Sequence, residues 1–194
     1  MRHEIELEGY GVRLRPLALD DAAALGAVVD RELWQYMPPP YPADADGWTA
    51  NIEEALSSGE RMALAVTDAS TGAVLGSTSF YDLSATHRRV EIGYTFYGRD
   101  SWGGRVNPAC KRLMLTHAFE VWDLARVALR CDAENARSAA AIQKLGAKPE
   151  GRLRNHRTRP DGTQGDTLYF SIIDTEWAPV KRALELRLGA PAVQ

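Results

Sequence analysis

The chain is poor in the residues that mark metal, redox and membrane chemistry. Its two cysteines, Cys110 and Cys131, form no C-x-x-C pair and fall inside an expected helix and an expected strand. No metal or redox motif is present, and a reducing cytoplasm is the expected setting. The four histidines, His3, His87, His117 and His156, are scattered without ligand spacing, so no metal is expected. No apolar run approaches the roughly 20 residues of a bilayer-crossing helix, so no membrane partner is expected. The opening Met1-Arg2-His3-Glu4-Ile5-Glu6 is charged and lacks the apolar core of a signal peptide. Basic excess is missing too. With 23 Lys and Arg against 26 Asp and Glu, the net charge is −3, which leaves no general nucleic-acid footprint.

What is present suits one soluble compact domain over residues 1–194, with 45% hydrophobic and 25% charged residues. The rest of the chain is organised around Glu91 to Trp122. Glu91-Ile92-Gly93-Tyr94-Thr95-Phe96-Tyr97 reads as a strand, and Gly98 to Val106 as a loop holding Gly98, Gly103 and Gly104. Asn107 then reads as an N-cap, with Pro108 at the first position of an amphipathic helix. The first amides of a helix have no intrahelical acceptor and carry partial positive charge, so such a junction holds anions with backbone alone. The loop does not end in the Gly-Lys-Ser/Thr of a nucleotide-triphosphate site. Gly103-Gly104-Arg105-Val106 also fails to supply the G-x-G-x-x-G of a dinucleotide site. The remaining familiar ligand is the pyrophosphate of coenzyme A; the plain alternative is a strand-to-helix connection.

Around this stretch, Val12 to Leu17 reads as a half-buried strand, and Asp20 as the cap of a helix running to about Asp30. Met37-Pro38-Pro39-Pro40-Tyr41-Pro42 cannot be regular structure and reads as a rigid connection or as a wall of an acceptor pocket. A helix is expected from Trp48 to Ser58, stopped by Gly59. A hairpin should follow, with strands at Met62–Thr67 and Val74–Phe80 around Asp68-Ala69-Ser70-Thr71-Gly72. Leu113, Met114, Ala118 and Val121 mark the buried face of the helix after the loop. Arg126 to Asp132 alternates as a strand, parallel to the one before the loop by crossover. Asn135 caps a helix to Leu145; Lys148–Thr158 and Thr167–Ile173 form a hairpin; Glu176 to Leu188 closes as a helix. The fold class is α/β or α+β with a mixed central sheet.

These elements and their residues resemble the GNAT superfamily of acyl-CoA-dependent N-acetyltransferases, in its ribosomal-protein N-acetyltransferase (RimJ/RimL-like) branch. Glu91-Ile92-Gly93-Tyr94 is similar to that branch's fourth strand, and Ser101-Trp102-Gly103 to its approach to the pyrophosphate loop. Asn135-Ala136-Arg137-Ser138 and Lys144-Leu145-Gly146-Ala147 resemble its Asn-x-x-Ser … Lys-Leu-Gly-Phe block. Glu150 to Arg154, Asp161-Gly162, Asp166-Thr167, Tyr169, Ser171 and Glu176-Trp177 match its tail, so the likeness spans Val12 to Leu188. Two departures stand out. Arg105 fills the second small-residue place of the loop, where Asn107-Pro108 also replaces the common Ala-Thr. The helix after Asn135 lacks the Tyr that many members use to protonate the leaving thiolate.

The resemblance implies a GNAT fold whose fourth and fifth strands splay, with acetyl-CoA as cosubstrate and an amine attacking the thioester directly. It implies backbone contacts from Arg99, Trp102, Gly103, Gly104, Arg105, Val106 and Asn107 to the pyrophosphate. Thr95 and Phe96 would pair with the pantetheine arm and polarise the carbonyl. Asn135 would bond the pantetheine and also cap its helix; Ser138 would meet the cofactor near sulfur, as a catalytic candidate with Glu91. Glu91 is the expected base acting through a water, its alternative being a strand carboxylate paired with Arg88, Arg89 or a cross-strand partner. Tyr94 and Tyr97 are alternates. The acceptor is expected to be a protein N-terminus or a small-molecule amine, and a homodimer is compatible with the resemblance. Arg152, Arg154, His156, Arg157 and Arg159 make the last hairpin basic, a solvated face or a docking edge. A non-catalytic acyl-CoA sensor is the competing reading.

Overall fold

The computed structural model describes residues 3–37 and 40–189. Eight strands form one sheet in the order β1-β2-β3-β4-β5-β6-β8-β7. They are β1 (Leu7–Gly9), β2 (Val12–Pro16), β3 (Arg61–Asp68), β4 (Val74–Ser84), β5 (Arg89–Tyr97), β6 (Arg126–Asp132), β7 (Lys148–Thr158) and β8 (Gln164–Ile173). Neighbours are antiparallel except β5 and β6, which are parallel through the α4 crossover (α4, Val106–Thr116). The sheet is therefore mixed, as expected. The splay expected between the fourth and fifth strands falls between β5 and β6 in this count, because β1 went unread in the sequence. β1 pairs with β2 through a turn at Tyr10 and Gly11, both at positive φ. Tyr10-Gly11 is too short a signal against the charged residues on either side.

Two helical layers cover the sheet. On one face α1 (Ala22–Val28), α2 (Arg31–Trp34) and α3 (Ala45–Ser57) bury Leu25, Trp34, Trp48 and Ile52 against Ala63, Ala65 and Phe96. On the other, α4 and α6 (Asp174–Leu188) bury Met114, Leu115, Trp177 and Leu184 against Leu64, Phe80, Ile92, Leu129 and Ile172. α5 (Ala136–Gln143) packs beside β6.

The sequence-derived helix from Asp20 to Asp30 is in fact broken. A short 3-10 turn (Leu19–Asp21) precedes α1, Val29 is extended, and Asp30 caps α2 by accepting from the Leu33 amide at 2.8 Å. An aspartate that can cap a new turn competes with continuing the old one. Asp21, rather than Asp20, is the buried member, bound by Arg15 at 2.6 Å and by the Ala18 amide at 3.0 Å. α4 also starts earlier than expected, with Arg105 at its N-cap position, so Asn107 lies inside the first turn and Pro108 follows it. Proline is tolerated there because first-turn amides have no acceptor to lose. Val121, expected on the buried face, is 65% exposed, because α4 passes into a π-helical turn at His117–Val121 that rotates the face. Pro38 and Pro39 lie outside the described residues.

Candidate active site

β5 and β6 run in register for only four pairs, from Arg89↔Arg126 to Ile92↔Leu129. Beyond Ile92 they part, and the gap becomes a cavity of about 560 Å³, within the range of small-ligand pockets. Its β5 wall is bulged. Ser79 pairs with Gly93 and Ser77 with Phe96, so Tyr94 and Thr95 together face the single residue Thr78, with Tyr94 at φ 49°. The bulge turns Thr95 towards α4 and Phe96 towards α1–α3. From Gly93 onward the β6-facing edge of β5 has no strand partner, so its amides and carbonyls border the slot.

At the mouth of the slot lies the glycine loop. The Ser101 amide donates to Gly98 O and the Trp102 amide to Arg99 O, both at 2.9 Å. Among the described residues nothing accepts from the amides of Gly103, Gly104 or Arg105. Gly103 has φ +70°, and nothing lies within 4 Å of where its Cβ would stand. Three successive free amides beside a helix start and an open glycine form an anion cradle of the kind a pyrophosphate occupies. The loop is braced from behind: Arg99 binds Asp30 at 2.6 Å and Glu32 at 2.7 Å, and the Trp102 indole donates to Tyr97 O at 2.9 Å. The Arg99 hydrogen bonds hold the Asp30 carboxyl down at about 2. Arg137 stacks on the other side of the loop, 3.3 Å from the Trp102 ring centroid.

The far side of the slot opens onto a polar cluster on the α1–α3 face. Tyr81 donates to Glu91 Oε2 at 2.6 Å, and Arg130 Nε lies 2.9 Å from the Tyr81 hydroxyl and 3.3 Å from Glu91 Oε2. Arg130 also donates to the Tyr169 hydroxyl at 2.7 Å. Burial, and then the Glu91 charge, push the Tyr81 phenol well above its usual range. Leu33, Tyr36 and Met37 line the cavity from the end of α2, and Arg157 from β7 donates to Tyr36 O at 2.8 Å.

Residues 12–148 match the family described as an acetyltransferase (GNAT) domain. The chain belongs to the GNAT acetyltransferase family. A Bacillus subtilis (strain 168) protein named "Putative ribosomal N-acetyltransferase YdaF" is 32% identical over 106 residues, 55% of this chain and 57% of that relative. A solved structure from T. thermophilus, described as a "putative acetyltransferase", is 34% identical over 97% of this chain and 99% of its own, with TM-score 0.90. Mycobacterium smegmatis RimJ in complex with CoA-disulfide has the same fold, with TM-score 0.79 at 22% identity over 95% of this chain and 93% of its own.

Within this GNAT frame the structure brings most of the sequence-derived residues to one cavity. Thr95, Phe96, Trp102, Gly103, Gly104, Asn107, Asn135 and Ser138 all line it. Asn135 caps α5, accepting from the Ser138 amide at 3.0 Å, as its position suggested. Asn107 instead meets the Tyr97 hydroxyl at 3.4 Å. Arg99, Arg105 and Val106 are not among the residues lining the cavity, although the free Arg105 amide belongs to the cradle at its mouth. Glu91 is only 7% exposed and sits in the adjoining hollow, joined to the slot by Tyr81 and Arg130. Its partner is thus cross-strand, and neither Arg88 nor Arg89 takes it: Arg88 binds Asp123 and Arg89 binds Asp82. The basic hairpin is largely neutralised, with Arg152 on Asp166 and Arg157 and Arg159 on the buried Asp132. Burial is the largest single influence on Asp132 and opposes its ionisation, but the Arg159 hydrogen bonds, the Glu134 amide and the Arg159 and Arg157 charges together outweigh it and hold the carboxyl below its usual range.

Sequence reading missed Tyr81, Arg130 and Lys111. Tyr81 and Arg130 flank Glu91 only through register, Tyr81↔Glu91 and Glu91↔Ala128. Lys111 was legible. It stands three, four and seven residues before Met114, Leu115 and Ala118, a lysine on the apolar face of a helix.

Proposed function

We propose that this protein transfers an acetyl group from acetyl-CoA to a primary amine, with a protein N-terminus as the favoured acceptor. The observation that carries this reading is the continuity of free loop amides, bulged β5 edge and the Tyr81–Arg130 pair along one cavity, with Glu91 bonded to that pair from the adjoining hollow. The residues fit coenzyme A: Gly103 to Arg105 would meet the pyrophosphate, and the exposed edge at Thr95 and Phe96 the pantetheine arm. Asn135 and Ser138 line the opposite wall. As donor, acetyl-CoA supplies an activated thioester carbonyl. Backbone amides on the free edge of β5 at the bulge would polarise it, a role worth about 3 kcal/mol per donor in comparable sites.

An α-amine near its usual pKa of 7.7 to 8.0 is freed of its proton for about 1 to 1.4 kcal/mol at pH 7, a lysine for roughly 4 to 5. A buried carboxylate reached through a phenol suffices for the first. Tyr81 borders the cavity and donates to Glu91, so the acceptor proton passes to the Tyr81 oxygen as the Tyr81 proton moves to Glu91. Arg130 fixes both oxygens. The name of the Bacillus relative supports a ribosomal-protein acceptor within the RimJ/RimL-like branch. Cytoplasmic residence accords with two free, buried cysteines and with no described helix long and apolar enough to cross a membrane. A non-catalytic acyl-CoA sensor is the weaker reading, since the carboxylate and its relay are assembled beside the slot.

Thermal shift with acetyl-CoA, CoA, NAD and ATP, followed by thiol release over a panel of peptides and small amines, tests this. Stabilisation by the CoA compounds and acceptor-dependent thiol release are expected, with Glu91→Gln lowering kcat about 10- to 100-fold at unchanged CoA affinity. Stabilisation by NAD or ATP but not CoA would sink the proposal.

A further inference from the structure

Lys111 is a lysine in the wrong place for a solvated charge. It projects from the middle of α4 beneath the β5 bulge, is 4% exposed, and lines the cavity. Nζ donates to Thr95 Oγ1 at 2.9 Å and to Thr78 Oγ1 at 3.3 Å. The two hydroxyls lie 2.8 Å apart; Thr95 also reaches Gly93 O, and Thr78 the Met114 sulfur. An ammonium has three N–H groups, so one has no acceptor among the described residues, and no carboxylate there lies in ion-pair range of Nζ. A methionine would fill this position at lower cost if packing were all it did.

We propose that Lys111 is the acid of the acyl transfer, giving its proton to the coenzyme A sulfur as the thiolate leaves. The inference rests on the acyl-transfer reading above. The acceptor nitrogen bonds to the carbonyl carbon and loses a proton towards Glu91. The carbon–sulfur bond then breaks with its electron pair going to sulfur. A Lys111 N–H proton passes to that sulfur; Glu91 then releases the proton it took to solvent, and neutral Lys111 regains one. Atoms and charge balance to an amide and a free thiol. α5 carries no tyrosine to do this, and Ile142 is buried in its second turn. Tyr97, a phenol that lines the cavity, meets Asn107 and is held well above its usual range by burial.

The match of acidities adds to the geometry. Burial lowers the Lys111 ammonium from 10.5 to about 8, close to an ordinary thiol at about 8.5. On its own helix the neighbouring titratable group is the Cys110 thiol, pushed up to about 11 by burial. From β5 comes Tyr97, and β4 offers the Thr78 hydroxyl and, further along the same cavity, the Tyr81 phenol bonded to Glu91. Across the cavity stand Arg130 and Asp132 of β6, the latter engaged by Arg157 and Arg159.

The test titrates the thiol of bound CoA by its ultraviolet thiolate absorbance, with desulfo-CoA as the blank, in the parent, Lys111→Met and Lys111→Arg. In the parent the bound thiol should ionise about one pH unit lower than in Lys111→Met. Lys111→Arg, which keeps charge but holds its proton, should ionise the thiol like the parent yet turn over at least about 30-fold more slowly. Equal thiol titration in the parent and Lys111→Met, or turnover of Lys111→Met within about three-fold of the parent, overturns the assignment. A parent that binds no CoA removes the acyl-transfer reading itself.

Discussion

A charged lysine among threonine hydroxyls destabilises the fold wherever it is protonated, and this can be measured without any substrate. Lys111 has a folded pKa near 8 against 10.5 unfolded. Between those values the unfolded chain binds more protons, so stability rises with pH. The penalty is fully present below pH 8 and gone above 10.5, and it amounts to roughly 3 kcal/mol at pH 7. The buried thiols act the other way: Cys110 and Cys131, raised to about 11 by burial, favour the folded state below pH 9 and lose that contribution as pH rises through 11. A parent-minus-variant difference cancels Cys131, and at pH 9.5 it nearly cancels Cys110, whose thiol feels the Lys111 charge but stays mostly protonated below 11. Urea midpoints at pH 7 and 9.5 should show the parent's deficit against Lys111→Met shrinking by about 2 kcal/mol. A pH-independent difference would mean that Nζ titrates as if in water.

At the scale of elements, the bulge in β5 decides which groups meet. A Cβ added to Gly93 would stand 2.7 Å from Tyr81 Cε1, the edge of a movable ring. One added to Gly76 would stand 2.1 Å from the Phe96 carbonyl oxygen, which is backbone. Gly93→Ala should therefore displace Tyr81 from Glu91, lowering kcat about 10-fold for about 1 kcal/mol of stability. Gly76→Ala should cost several times that stability, read from denaturation midpoints. Equal losses in the two variants would contradict the pairing of Gly76 with Tyr97 and of Ser79 with Gly93. This bulge is also where sequence reading stops. Glu91 to Tyr97 reads as unbroken alternation, which would put Ile92, Tyr94 and Phe96 on one face. In the molecule Ile92 joins the α4 side and Phe96 the α1–α3 side. A bulge is a backbone choice made between two strands, and no single residue in the strand announces it. By contrast, the glycine loop, the Asn135 cap and the α4 crossover were legible, because local chemistry fixes each one. Glu91 was legible as a candidate, but its burial and its Tyr81 and Arg130 partners arise from pairing across three strands.

For the whole molecule, the slot divides the sheet. β1–β5 and β6–β8 share the four pairs from Arg89↔Arg126 to Ile92↔Leu129, and beyond them the two halves diverge. A ligand that bonds to the loop and β5 on one side and to Asn135 on the other bridges the halves, so its binding energy appears as folding stability. At 100 times its Kd, CoA should add about 2.7 kcal/mol. For a chain of this length that is roughly 5 to 10 °C in Tm. The same measurement tests the cradle through Gly104. It does not adopt positive φ, and the nearest atom to an added Cβ is Ser101 O at 3.7 Å, an ordinary contact. Gly104→Ala should leave the ligand-free Tm within about 1 °C, while the new methyl intrudes where the pyrophosphate approaches, weakening CoA at least about 10-fold. Gly103→Val is a poorer probe, because its φ of +70° strains any side chain and mixes stability with affinity. If Gly104→Ala showed the parent's full CoA shift, the free amides of Gly103 to Arg105 would have to serve something other than a diphosphate.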